Sequence, residues 1–91
     1  MKKHEFTVHV EQKLKLSVYI KLGISKKKIQ AIIENPEALD KSEDPVHIAI
    51  GNLTKDLSLC VPFKQIGGII RIITFYPAEK GRYERKILPR R

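Results

Sequence analysis

The sequence predicts an α+β domain in which helical structure comes early and a three- to four-stranded antiparallel sheet follows. Three observations carry this. Residues 25–35 place isoleucines at helical spacing behind a capping serine. From Val46 onward, apolar and polar residues alternate between turn residues, as half-buried strands do. The composition, with 42% hydrophobic and 31% charged residues in 91, is that of an ordinary globular chain. That length makes a single domain, 1–91, whose core buries roughly 60–65% of the unfolded surface.

Residues 6–22 carry a mixed pattern. Phe6, Val8 and Val10 alternate with polar residues, as do Leu14, Leu16, Val18, Ile20 and Leu22, which favours a hairpin turning near Glu11-Gln12-Lys13. Leu14, Val18 and Leu22 also stand at i, i+4 and i+8, but a helix leaves Leu16 and Ile20 on its other side. Gly23 ends this element. Ser25 then offers a hydroxyl to the free N–H groups of a first turn, and Ile24 with Ile29 forms a hydrophobic staple. Ile29, Ile32 and Ile33 make the buried stripe, and Asn35-Pro36 stops the helix. Lys26, Lys27 and Lys28 crowd its positive end, where cations cost a few tenths of a kcal/mol each, a hint that phosphate meets them.

Glu37 to Asp44 reads as an acidic linker or short helical extension closed by Pro45. Ile48 and Ile50 mark a first strand, and 51–56 a loop. Leu57, Leu59, Val61 and Phe63 mark a second, with Pro62 demanding an edge or bulge because it has no ladder donor. Gly67-Gly68 is a hairpin turn into a third strand, Ile69–Tyr76, ended by Pro77. Its apolar residues on both faces imply that helices cover one side of the sheet. Arg82–Leu88 is either a final strand or a tail.

The net charge of +8 is unevenly distributed. Residues 1–33 carry eight Lys or Arg against two acids, 34–63 two against six, and 64–91 eight against two. Two basic ends around an acidic middle suit a polyanionic partner, nucleic acid first. Cys60 is solitary, so no internal disulfide forms, and nothing speaks for an oxidising compartment. No apolar run approaches the roughly 20 residues that span a bilayer, and Lys2-Lys3 lead into no signal-like stretch. The expectation is a cytoplasmic protein without membrane contact. The three histidines and Cys60 lack metal-ligand spacing, so neither metal nor cofactor is expected.

The densest cationic and aromatic cluster is Lys80, Arg82, Tyr83, Arg85 and Lys86. Guanidinium forks grip phosphate, and exposed bases stack on tyrosine or arginine planes. The blander reading of this cluster is a solubilising end. Arg71 stands among isoleucines, where a charge needs a cleft or an ion pair, with Glu79 or Glu84 as candidate partners. His9 and Lys13 share a face if residues 9–13 are helical; in a strand they do not, and His9 is then a surface residue.

Beyond these readings, His9-x-x-x-Lys13, Leu22-Gly23-Ile24-Ser25, Ile29 to Asn35-Pro36 and the strands ending at Ile69–Pro77 resemble the RelE/BrnT-like toxin superfamily, in particular its small uncharacterised relatives. The likeness covers roughly residues 8–88. It implies N-terminal helices packed on a three- to four-stranded antiparallel sheet, hence helix rather than strand at 9–22. It also implies a metal-independent endoribonuclease, the toxin component of a type II toxin–antitoxin system, silenced by a cognate acidic antitoxin. Lys13 stands where the family has Arg, and the stretch from Lys13 to Gly23 is several residues longer.

Cleaving RNA without a metal requires a base for the 2′-hydroxyl, cations for the phosphorane and a proton for the leaving 5′-oxygen. The expected catalytic residues are His9, as acid or base, with Arg71, Arg82 and Tyr83. The expected RNA grips are Lys13, Lys26, Lys27, Lys28, Lys80, Arg85 and Lys86, on ribosome-associated mRNA or other RNA. The rival is a non-catalytic RNA- or protein-binding module of the same fold, and a purely structural domain is a third reading.

Overall fold

A computed structural model describes residues 3–80 of the chain. Nine elements follow one another: β1 (Lys3–Phe6), α1 (Val8–Lys13), α2 (Ser17–Lys21), α3 (Lys26–Glu34), β2 (Ala38–Glu43), β3 (Val46–Asn52), β4 (Leu57–Ile66), β5 (Ile69–Ile72) and β6 (Tyr76–Glu79). The α+β class is as expected, with three helices and one sheet. The sheet is larger than the three or four strands predicted. It has six, in the order β1-β5-β4-β3-β2, with β6 also on β4. It is mixed, because β1 runs parallel to β5 while every other pair is antiparallel.

Residues 6–22 are not a hairpin. Phe6 closes β1, and Thr7 then caps α1 by accepting from the Val10 N–H at 3.4 Å. Val10 is fully buried while Val8 is 72% exposed, so the apparent alternation spans two elements and means nothing within either. In α2 and its C-cap the inward residues are Tyr19 and Leu22, which pack on the core, whereas Val18 and Ile20 face solvent. Packing decides here, because α1 and α2 have only six and five residues. Gly23 follows α2 in the left-handed region (φ 81°), with Gly23 N–H donating to Ile20 O and Ile24 N–H to Tyr19 O. That double closure favours glycine and turns the chain into α3.

α3 forms as expected. The Ser25 hydroxyl accepts from Lys28 N–H at 3.2 Å, Ile24 and Ile29 are both buried, and the helix ends at Asn35. Its buried face meets β3, where Gly51 makes room: a Cβ there would lie 2.7 Å from Ile32 Cγ1.

Glu37–Asp44 is neither linker nor helix. Its centre is β2, an edge strand whose Asp40, Lys41 and Glu43 are the charges that keep a sheet edge from pairing with other chains. A two-residue turn, Asp44-Pro45 with a cis peptide bond, joins it to β3. Gly67-Gly68 is the expected hairpin turn, between paired Ile66 and Ile69.

The expected strand Ile69–Tyr76 is divided. β5 pairs with β4 at Phe63–Ile66, and β6 pairs with the other end of β4 at Leu57–Cys60. Pro77 does not end a strand but sits inside β6 opposite Leu59. Pro62 falls between the two ladders, where its carbonyl accepts from Ile73 N–H at 2.9 Å and its missing donor breaks no pair. Ile73-Thr74-Phe75 bridges the gap, with Phe75 fully buried.

The helices cover one face of the sheet. Val10, Ile24, Ile29 and Ile32 meet Ala49, Leu59, Val61, Phe63, Ile70, Ile72 and Phe75 in one cluster. Residues alternating with these on the strands, Arg71 among them, point to the other face. The possible strand at Arg82–Leu88 lies outside the described residues.

Candidate functional site

The gap between β5 and β6 positions the most chemically loaded group of side chains. Phe75 lies outside both ladders, so its carbonyl is available to a side chain. α1 lies against this bridge, pinned at its start by Thr7, whose hydroxyl donates to Ile73 O at 3.5 Å. Four residues apart on α1, His9 and Lys13 share one face and converge on Thr74. His9 Nε2 and Lys13 Nζ each lie 3.2 Å from Thr74 Oγ1, and Lys13 Nζ also donates to Phe75 O at 2.5 Å.

An ammonium has only donors, so Thr74 Oγ1 accepts from Lys13 and keeps its own proton to give to His9 Nε2. In that assignment His9 carries its proton on Nδ1. The result is a chain from ammonium through hydroxyl to imidazole.

Among the described residues, Lys13 is held without a counter-charge. Its Nζ stands 4.6 Å from the centre of the Phe75 ring and 5.4 Å from that of Tyr19, and those rings meet edge-to-face at 5.2 Å. Among the described residues no carboxylate pairs with it, so hydroxyl, carbonyl and ring faces offset its desolvation with dipoles alone. Burial pushes its pKa below the ordinary lysine value. A cation with no carboxylate partner among the described residues, beside an imidazole and a hydroxyl, is suited to an anion that must also exchange protons.

Comparison of the chain with protein-family models, with curated proteins and with solved structures found no match.

Of the residues singled out in the sequence that are described, only His9 and Lys13 come together. Lys26 is on the other flank of α1, paired with Glu11 at 3.1 Å and 5.2 Å from the Phe6 ring centre. That carboxylate answers part of the charge excess at the start of α3 with a protein group. Lys27 is exposed and Lys28 half-buried on α3. Arg71 pairs with Glu5, its neighbour across the β1–β5 ladder, at 2.6 Å on the face away from the helices. Among the described residues its partner is thus Glu5 and not Glu79, one of the two acids first considered; Glu84, the other, lies outside them. Lys80 donates to the Asn52 side chain beside the β3–β4 loop, about 13 Å along β6 from Tyr76. Arg82, Tyr83, Arg85 and Lys86 lie outside the described residues.

The remaining histidines serve elsewhere. His4 is packed between β1 and the end of α3, 4.0 Å from Glu34, and His47 bonds Asp44 at 2.8 Å. Among the described residues no three His, Cys, Asp or Glu side chains group to hold a metal, and no helix is long and apolar enough to cross a membrane.

Thr74 and Tyr19 were missed by sequence reasoning. Thr74 looked like one more β-branched residue of a strand. The signal lay in Pro62, which has no donor on the side where Ile73-Thr74-Phe75 leaves the ladder.

Proposed function

We propose that this chain is a metal-independent endoribonuclease of the toxin type, RelE/BrnT-like, with His9, Thr74 and Lys13 as its reaction centre. The observation that carries this is the convergence of His9 Nε2 and Lys13 Nζ on one hydroxyl at 3.2 Å each, with no carboxylate paired to Lys13 among the described residues. The early helices ahead of an antiparallel meander support the likeness, as does the net charge of +8.

In the proposed reaction the Thr74 hydroxyl turns its proton away from His9 Nε2, and Nε2 takes the proton of a ribose 2′-hydroxyl, whose oxygen forms a bond to the adjacent phosphorus. The P–O5′ bond breaks as Lys13 neutralises the phosphorane and gives the departing oxygen a proton. The products are a 2′,3′-cyclic phosphate and a 5′-hydroxyl. Thr74 holds both groups in register and returns the proton from imidazole to amine. A lysine with a lowered pKa releases a proton near neutral pH more readily than a free one, which suits it to the acid role. Lys26, Lys27, Lys28 and Lys80 remain candidate contacts to flanking RNA, as do Arg82, Tyr83, Arg85 and Lys86. A small acidic antitoxin is the corresponding partner, and cytoplasm the corresponding compartment.

The test is incubation of the purified protein with a defined RNA in excess EDTA. Discrete cleavage, lost by about 100-fold or more in His9→Ala and Lys13→Ala, supports the proposal. Intact RNA with salt-sensitive binding overturns it in favour of a binding module.

A further inference from the structure

We infer that Thr74 is also a nucleophile, whose Oγ1 takes the acyl group of an activated carboxylic ester, aryl or thio, in a reaction that needs no RNA. A hydroxyl becomes a nucleophile when a base can receive its proton and a cation lies beside the oxygen. Thr74 Oγ1 has both, because it donates to His9 Nε2 and accepts from Lys13 Nζ at 3.2 Å each. Thr7, Ser25 and Thr54, by contrast, spend their hydroxyls on backbone groups. Access is open as well. Ile73-Thr74-Phe75 leaves both ladders and Phe75 turns into the core, while Thr74 stays half-buried beside the exposed His9. An ester can therefore reach Oγ1 from solvent.

The step balances without a further reactant. Thr74 Oγ1 forms a bond to the carbonyl carbon as its proton passes to His9 Nε2. The carbonyl oxygen takes up the negative charge within reach of the Lys13 ammonium, which already touches the attacking atom. Collapse breaks the bond to the leaving oxygen or sulfur, and the imidazolium gives that atom its proton. Water later repeats the sequence on the Thr74 ester, releasing the acid and restoring the hydroxyl.

Two features select the substrate class. One ammonium matches the single charge of a tetrahedral acyl intermediate, whereas phosphoryl transfer spreads charge over three oxygens. Among the described residues no carboxylate pairs with His9 to steady the imidazolium, as the third member of a hydrolase triad does. The leaving group must therefore depart with little help, as an aryl oxide or a thiolate does and an amine does not. The same three side chains serve the proposed RNA cleavage, but the substrate differs, so either activity can fail while the other stands.

The experiment incubates the full chain with p-nitrophenyl acetate, quenches samples with acid at successive times, and reads intact mass and peptide maps. An acetyl group is expected on Thr74, removable by neutral hydroxylamine as esters are. Thr74→Val should abolish it, Thr74→Ser should restore it, and His9→Ala should slow it about tenfold or more. Unchanged far-UV circular dichroism shows that the variants fold. Lys13 is the rival acceptor, because burial lowers the pKa of its amine, but an amide there resists hydroxylamine. The inference is overturned by label on Lys13 or His9 without Thr74, or by no label at any time. Labelling of Ser25 as fast as of Thr74, or an unchanged rate in His9→Ala, also overturns it. RNA cleavage is measured on the same protein. Acetylation of Thr74 without cleavage removes the ribonuclease reading and keeps this one, and cleavage with Thr74 unlabelled does the reverse.

Discussion

Replacing Thr74 with valine removes one hydroxyl and almost nothing else. Valine keeps the branched shape, so packing at the β5–β6 bridge is retained, while His9 and Lys13 lose the atom they share at 3.2 Å. Two hydrogen bonds disappear, one to a cation. Buried, the pair would be worth roughly 2–4 kcal/mol. The discount is large, however, because Lys13 keeps the Phe75 carbonyl and the exposed His9 can bond water. The net loss should be about 1 kcal/mol, lowering the melting temperature by about 4–8 °C for a domain of this size. Activity should fall further than stability. The acid and base remain but lose their register, which should cost about 10- to 100-fold in RNA cleavage. Thr74→Ser restores the hydroxyl and should restore the rate. Nitrogen-15 NMR of the His9 ring supplies the second readout, because loss of the Thr74 donor should redistribute the proton between Nδ1 and Nε2. Wild-type cleavage by Thr74→Val, or a His9 ring indifferent to it, would refute the assignment.

Three further outcomes follow from the geometry. Gly51→Ala sets a methyl group 2.7 Å from Ile32 Cγ1 and should destabilise the domain by about 1–3 kcal/mol in urea denaturation. Arg71→Ala removes an exposed ion pair with Glu5, on the face away from the helices. It should cost at most about 1 kcal/mol and leave RNA cleavage near the wild-type rate. The depressed Lys13 pKa makes stability depend on alkaline pH. Between its folded value and the unfolded value of 10.5, the unfolded chain binds the proton that the folded chain has released, so stability rises with pH across that window. Subtracting the unfolding curve of Lys13→Met should isolate this rise, and a flat or falling difference would contradict it.

Local signals were legible where one element carried them alone. Ser25, Ile24 and Asn35-Pro36 marked α3 because caps and stops act within a few residues. The Gly67-Gly68 turn was equally local. Residues 6–22 were misread because alternation there crosses from β1 into α1, and because α2 exposes Val18 and Ile20 while burying against Tyr19, a residue the apolar count passed over. The acids of 37–44 looked like linker because an edge strand and a linker need similar surface charge. His9 and Lys13 were legible as a pair only if helix was assumed. Thr74 was passed over, since its role comes from a gap in a ladder that Pro62 marks from far away in the chain.

That distance has a consequence for timing. His9 and its threonine partner are 65 residues apart, and Lys13 and the carbonyl it grips are 62 apart. A helix as short as α1 does not persist by itself, so nothing aligns the histidine and lysine before the last strands arrive. At roughly 5–20 residues per second, the ribosome makes His9 about 3–13 s before it makes Thr74. Until then His9 and Lys13 have no common partner, and truncation anywhere before residue 74 should yield a product without the hydroxyl they share.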